Sequence, residues 1–87
     1  PRSPQKLALD RHTDRRDVTV RWEPVKGAQG YNVLWGIAPD KLYSSWMVYG
    51  GNELEMKSLT IDQDYYFAVE AFNENGVSLP SETKYVE

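Results

Sequence analysis

Residues 59–76 read LTIDQDYYFAVEAFNENG. From Tyr65 to Ala71 the side chains alternate. Tyr65, Phe67, Val69 and Ala71 face one way, and Tyr66, Ala68 and Glu70 face the other. A period of two, filled by aromatic and β-branched residues, describes a strand with one buried face. Asn73 to Gly76 then supply turn chemistry that ends it.

The same period holds on both sides of this stretch. Val18, Val20 and Trp22 alternate with Thr19 and Arg21; Tyr31, Val33 and Trp35 alternate with Asn32 and Leu34. Leu7 and Leu9 mark a short first strand, Leu54 and Met56 another, and residues 82–87 a last one. Turn-rich connections separate them: PVKGAQG from Pro24, IAPDK from Ile37, GGN from Gly50 and LPS from Leu79. Strands spaced this way, with no segment of helical period, specify an all-β sandwich or barrel. The predicted core is Leu7, Val18, Val20, Trp22, Tyr31, Val33, Leu54, Leu59, Tyr65, Phe67, Val69 and Ala71.

Eighty-seven residues make one small domain, which buries only about 60–65% of its unfolded surface. There is no cysteine, so the core alone must hold the fold. The net charge of −3 comes without a basic stripe, which argues against nucleic acid as a partner. No apolar run approaches the roughly 20 residues that span a bilayer, so no membrane partner is expected. No signal peptide is read at the start. PRSP, residues 1–4, reads as linker, and residues 5–87 as a module from a longer protein.

Few residues suggest chemistry. His12 is the lone histidine and lies in the charged run RHTDRRD, where a surface imidazole is expected. Without a second histidine or any cysteine, no transition-metal site is expected. Asp14 and Asp17 beside Arg15 and Arg16 read as a solvated turn. Glu53 and Glu55 share one strand face opposite Leu54 and Met56; a solvent face offers no cleft for paired-carboxylate hydrolysis. Asp62 and Asp64 form a polar turn, because a calcium loop needs more oxygen ligands at fixed spacing. No Gly-rich phosphate loop opens a helix. No catalytic, metal or cofactor residue is therefore assigned, and the domain is expected not to be an enzyme.

Two stretches narrow the sandwich. In VRWEPVKGAQGYNVLW, residues 20–35, a strand ends in Trp, followed by Pro, a Gly/Ala turn and a strand opening on Tyr. In residues 59–76, Leu59 precedes Tyr65 by six positions. Together with the closing PSETKYVE, these make the chain resemble a fibronectin type III domain over residues 5–87. The resemblance implies a seven-stranded, immunoglobulin-like sandwich. The strands holding Leu7–Leu9, residues 18–22 and Leu54–Met56 would form one sheet. Those holding residues 31–35, 44–49, 65–71 and 82–87 would form the other. It also implies structural roles: Trp22 between the sheets, and Tyr65 in a tyrosine corner closing on the backbone near Leu59 to Ile61. Ile61 stands where the family often has Pro.

A finer likeness, over YNVLWGIAPDKLYSSWMVYGGNELEMKSL and DYYFAVEAFNENG, is to modules appended to bacterial polysaccharide-degrading enzymes, above all family 43 glycoside hydrolases of the xylosidase and arabinofuranosidase type. It implies a non-catalytic accessory module of a larger secreted protein, acting as spacer and docking unit. Its partners would be neighbouring domains of the same polypeptide, or polysaccharide in the alternative reading as a carbohydrate-binding module. A second alternative is an adhesion or receptor-type interaction domain, although the chain has neither Arg-Gly-Asp nor an Asn-x-Ser/Thr acceptor.

SSWMVYGG, residues 44–51, bears on that choice. Trp46 and Val48 face one way, and Ser45, Met47 and Tyr49 the other, so only one set can enter the core. Leu34, Trp46, Tyr49, Tyr66 and Phe72 are the expected docking or glycan-contact surface. Asn32 or Lys41 would be the polar arms of a sugar platform.

Overall fold

The computed structural model describes all residues, 1–87. Its strands are β1 (Ala8–Arg11), β2 (Val18–Arg21), β3 (Gly30–Gly36), β4 (Ser44–Tyr49), β5 (Glu53–Met56), β6 (Tyr65–Asn73), β7 (Gly76–Val77) and β8 (Lys84–Val86). They form two antiparallel sheets, β1-β2-β5 and β4-β3-β6, with β7 and β8 both paired to β6. This is the expected division of strands between sheets. No helix is present to cross a membrane.

The alternating apolar faces close on each other to form the core. Leu7, Val18, Val20, Trp22, Tyr31, Val33, Met56, Leu59, Tyr65, Phe67, Val69 and Ala71 form one buried cluster. Met56 replaces Leu54 in the predicted set. Both face inward, paired with Val18 and Val20 respectively, but β5 is a sheet edge and Leu54 lies at the open side of the sandwich. The long unbranched Met56 side chain is buried and joins the core cluster, as flexible thioether side chains do when filling gaps.

Two tyrosine hydroxyls pin the connections. Tyr65 accepts a hydrogen bond from the Thr60 amide at 2.9 Å, which is the expected tyrosine corner, closed between Leu59 and Ile61. Tyr31 accepts one from the Val25 amide at 2.8 Å and meets the edge of Trp22 at 5.1 Å between ring centroids. The second contact fixes the 24–29 connection over the core.

The last strand is divided, which makes eight strands where seven were expected. Pro80 has no N–H to donate to a ladder. On either side of it a serine takes over: the Ser78 and Ser81 amides donate to the Ala71 and Val69 carbonyls at 2.7 and 2.8 Å. Their hydroxyls accept from the same residues' amides, both at 2.9 Å. The β6 backbone thus stays satisfied across a gap in its neighbour, as a buried strand requires.

At the N-terminus, packing starts inside the segment read as linker. Pro4 is fully buried, and the Gln5 carbonyl accepts from the Glu23 amide at 2.9 Å. Pro4 and Leu7 are three positions apart, so both can turn inward only if the alternation breaks. Lys6, in the left-handed region at φ 56°, breaks it.

Arg11, the last residue of β1, is 8% exposed. Its guanidinium donates to the carbonyls of Arg15 at 2.6 Å and of Gln63 and Thr60 at 2.8 Å each. It also lies over the Tyr65 ring, 5.3 Å from the centroid. One side chain thereby ties the β1–β2 connection to the segment that enters β6.

Candidate functional site

Register decides which side chains share the outer face of the larger sheet, because residues directly opposite on antiparallel strands point the same way. Gly30 pairs with both Tyr49 and Phe72, and Phe72 with Val77. Asn32 pairs with Met47 and Glu70, and Leu34 with Ser45 and Ala68. Tyr66 pairs with Gly36 and Tyr85. The outer face therefore carries an aromatic pair at each end, with Leu34, Met47 and an Asn32–Glu70 hydrogen bond of 3.2 Å between them.

The two pairs are built differently. Phe72 lies across Gly30, where a Cβ would stand 2.6 Å from its ring. The missing side chain lets Phe72 meet Tyr49 edge-to-face at 5.6 Å and 85°. At the other end Tyr66 and Tyr85 are 5.6 Å apart, tilted by 35°. Tyr49 is 66% exposed, Tyr85 58% and Met47 52%. Leu34, Tyr66 and Phe72 are half-buried between them, and an apolar patch with exposed members on a small domain marks an interaction surface.

Four of the five expected surface residues, Leu34, Tyr49, Tyr66 and Phe72, come together here. Trp46 does not. It pairs with Val33, a core residue, so it lies on the inner face of β4. There its 58%-exposed side chain lines a groove of about 280 Å³ with Trp35, Leu54 and Met56, between the β4 and β5 edges. Trp46 and Tyr49 are three positions apart, and an odd separation along a strand puts them on opposite faces. Met47, Val77 and Tyr85 belong to the outer face and were missed. Met47 shares the parity of Tyr49, which was signal enough; Val77 lies in a segment not read as strand. Of the expected sugar-binding arms, Asn32 is engaged by Glu70, and Lys41 is exposed beyond the end of β3.

No set of three or more His, Cys, Asp or Glu side chains converges anywhere. Half-buried His12 bonds through Nε2 to the Thr19 hydroxyl at 2.7 Å. Glu53 pairs with Arg21 and Glu55 with Lys57, all exposed. Asp14 chelates Arg16 through side chain and backbone, and those hydrogen bonds hold its carboxyl below the usual aspartate value. Such exposed pairs contribute little to stability.

The model of the fibronectin type III domain matches residues 2–87. The chain belongs to the fibronectin type III family. Solved structures share the fibronectin type III fold. The FN1–FN3 domains of chicken CNTN1 superpose with a TM-score of 0.84 at 24% identity, covering 97% of this chain and 31% of that one. An Fn3-like protein from Clostridium thermocellum gives 0.87 at 18% identity, covering 97% and 88%. The twitchin kinase region from C. elegans gives 0.82 at 21%, covering 97% of this chain and 16% of that one. The chain thus spans under a third of the CNTN1 structure. No curated protein sequence matches. Fibronectin type III domains are generally non-catalytic modules of larger multidomain proteins.

Proposed function

We propose that this domain is a non-catalytic accessory module of a larger, secreted bacterial polysaccharide-degrading enzyme. It spaces the catalytic domain and docks against it through the outer face of the larger sheet. The observation that carries the docking role is that face: register places Tyr49, Phe72, Met47, Leu34, Tyr66 and Tyr85 on it, with Tyr49, Met47 and Tyr85 exposed and the other three half-buried. The enzyme context rests on the likeness of residues 31–59 and 64–76 to modules of family 43 glycoside hydrolases.

Ring geometry favours protein over sugar as the occupant. A glycan platform needs several coplanar rings, whereas Tyr49 and Phe72 stand at 85°, Tyr66 and Tyr85 are tilted by 35°, and Leu34 and Met47 lie between the two pairs. The face is suited to a dry, irregular contact with another domain.

The test removes the exposed rings at both ends with Tyr49→Ser and Tyr85→Ser. In the isolated module the double variant should melt within a few degrees of the parent, since neither ring is in the core. In the natural polypeptide the same changes should lower the melting temperature of the catalytic domain. Titration of the module with xylan, arabinoxylan and cellulose fragments should give no saturable signal. Saturable binding lost in the double variant would replace docking by carbohydrate binding.

A further inference from the structure

Sheet edges are sites where another strand can add, so stable proteins guard them with charge, proline or a cover. Three edges of this sandwich are guarded. β1 carries Asp10 and Arg11 and packs beside β8. β5 carries exposed Glu53 and Glu55. The divided last strand carries Pro80 and Lys84. The fourth edge, β4, is different. Its six residues, SSWMVY, contain no charge, proline or glycine, and all are exposed except half-buried Val48.

We propose that β4 pairs antiparallel with β4 of a second copy of this chain, about a two-fold axis, so that the larger sheet continues across both molecules. The occupant follows from the strand itself. With the axis at Met47, Trp46 falls opposite Val48 of the second copy, and Ser45 opposite Tyr49 of the second copy. Every pair then joins like faces, and no charge meets another. The chain's formal charge of −3 has no contribution from this edge, so self-pairing meets no repulsion along the strand.

The groove beside the edge adds to the main-chain hydrogen bonds. Trp35, Trp46, Leu54 and Met56 line it on the inner side of β4. A strand added there lays its inward-facing side chains next to Trp46, at the mouth of the groove. Strand addition draws affinity from backbone pairing and selectivity from such flanking pockets. One six-residue strand pair is a short contact, and contacts at the low end of interface size are weak and concentration-dependent. It uses the free edge rather than the outer face, and stands without the docking role.

The experiment is sedimentation equilibrium of the 87-residue chain from about 10 µM to about 1 mM, the range in which a weak pair populates. The mass should rise from 10.0 kDa toward twice that value. Met47→Lys, at a residue 52% exposed, places two ammonium groups opposite each other across the axis. It should hold the chain monomeric at every concentration with an unchanged melting temperature. Tyr66→Lys, away from the edge, should dimerise like the parent. A mass that stays at 10.0 kDa to the highest concentration overturns the proposal. So does a dimer indifferent to Met47→Lys.

Discussion

Replacing Arg11 by Ala tests whether one buried cation joins the two halves of the loop end. The side chain makes three hydrogen bonds to carbonyls on Arg15, Thr60 and Gln63. A hydrogen bond from a charged donor contributes about 1.5–3 kcal/mol when its partner is otherwise cut off from water. Here the acceptors sit on exposed or half-exposed loop residues, so water replaces much of each bond. The expected net loss is therefore about 3 kcal/mol rather than the sum. In a domain of this size that lowers the melting temperature by about 12–24 °C, at about 4–8 °C per kcal/mol. Urea unfolding followed by tryptophan fluorescence measures it. Amide exchange adds a local signature: the Thr60 amide, held by Tyr65, should lose protection more than the centre of β6. Arg11→Lys should fall between, since an ammonium keeps the charge but not the planar fork. A loss under about 1 kcal/mol, the range of ordinary surface substitutions, would refute the reasoning.

Two further predictions concern the tryptophans and the acid limb. Trp22→Ala should cost about 3–5 kcal/mol, because the ring is buried between the sheets. Trp46→Ala should cost under about 1 kcal/mol, because its ring is mostly open; equal costs in urea unfolding would contradict the groove placement. Asp14 should titrate below 3.8 by carboxyl NMR, held there first by the Arg16 side-chain hydrogen bond. Its pKa is depressed in the folded state, so its contribution to stability is present above 3.8 and lost as pH falls through the folded value. Arg16→Gln should move the titration up toward 3.8, and only part of the way, because the Arg16 backbone N–H still donates.

Parity carried most of what could be read in advance. Val18, Val20 and Trp22, and likewise Tyr65, Phe67, Val69 and Ala71, are buried where their alternation places them. The same rule separates Trp46 from Tyr49, and grouping them as one surface set that rule aside. Arg11 shares the parity of Leu7 and Leu9, so its inward direction was also in the pattern. What keeps it inside was not: its acceptors at Thr60 and Gln63 lie 49 and 52 residues away. Ser78 and Ser81 look like loop residues, and their role exists only because Pro80 interrupts the strand beside β6.

The class of fold, the division into strands and nearly all of the core could be read along the chain alone. Those depend on local alternation and on turn residues that act over a few positions. Which edge is left open and which rings meet depends on the packing of distant strands. Tyr49 and Phe72 touch because β3 lies between β4 and β6 with Gly30 in register with both. Trp46 faces Leu54 and Met56 because the two sheets close along the same side. Those are relations between strands distant in the chain, fixed by how the sheets pack rather than by any one strand's own pattern.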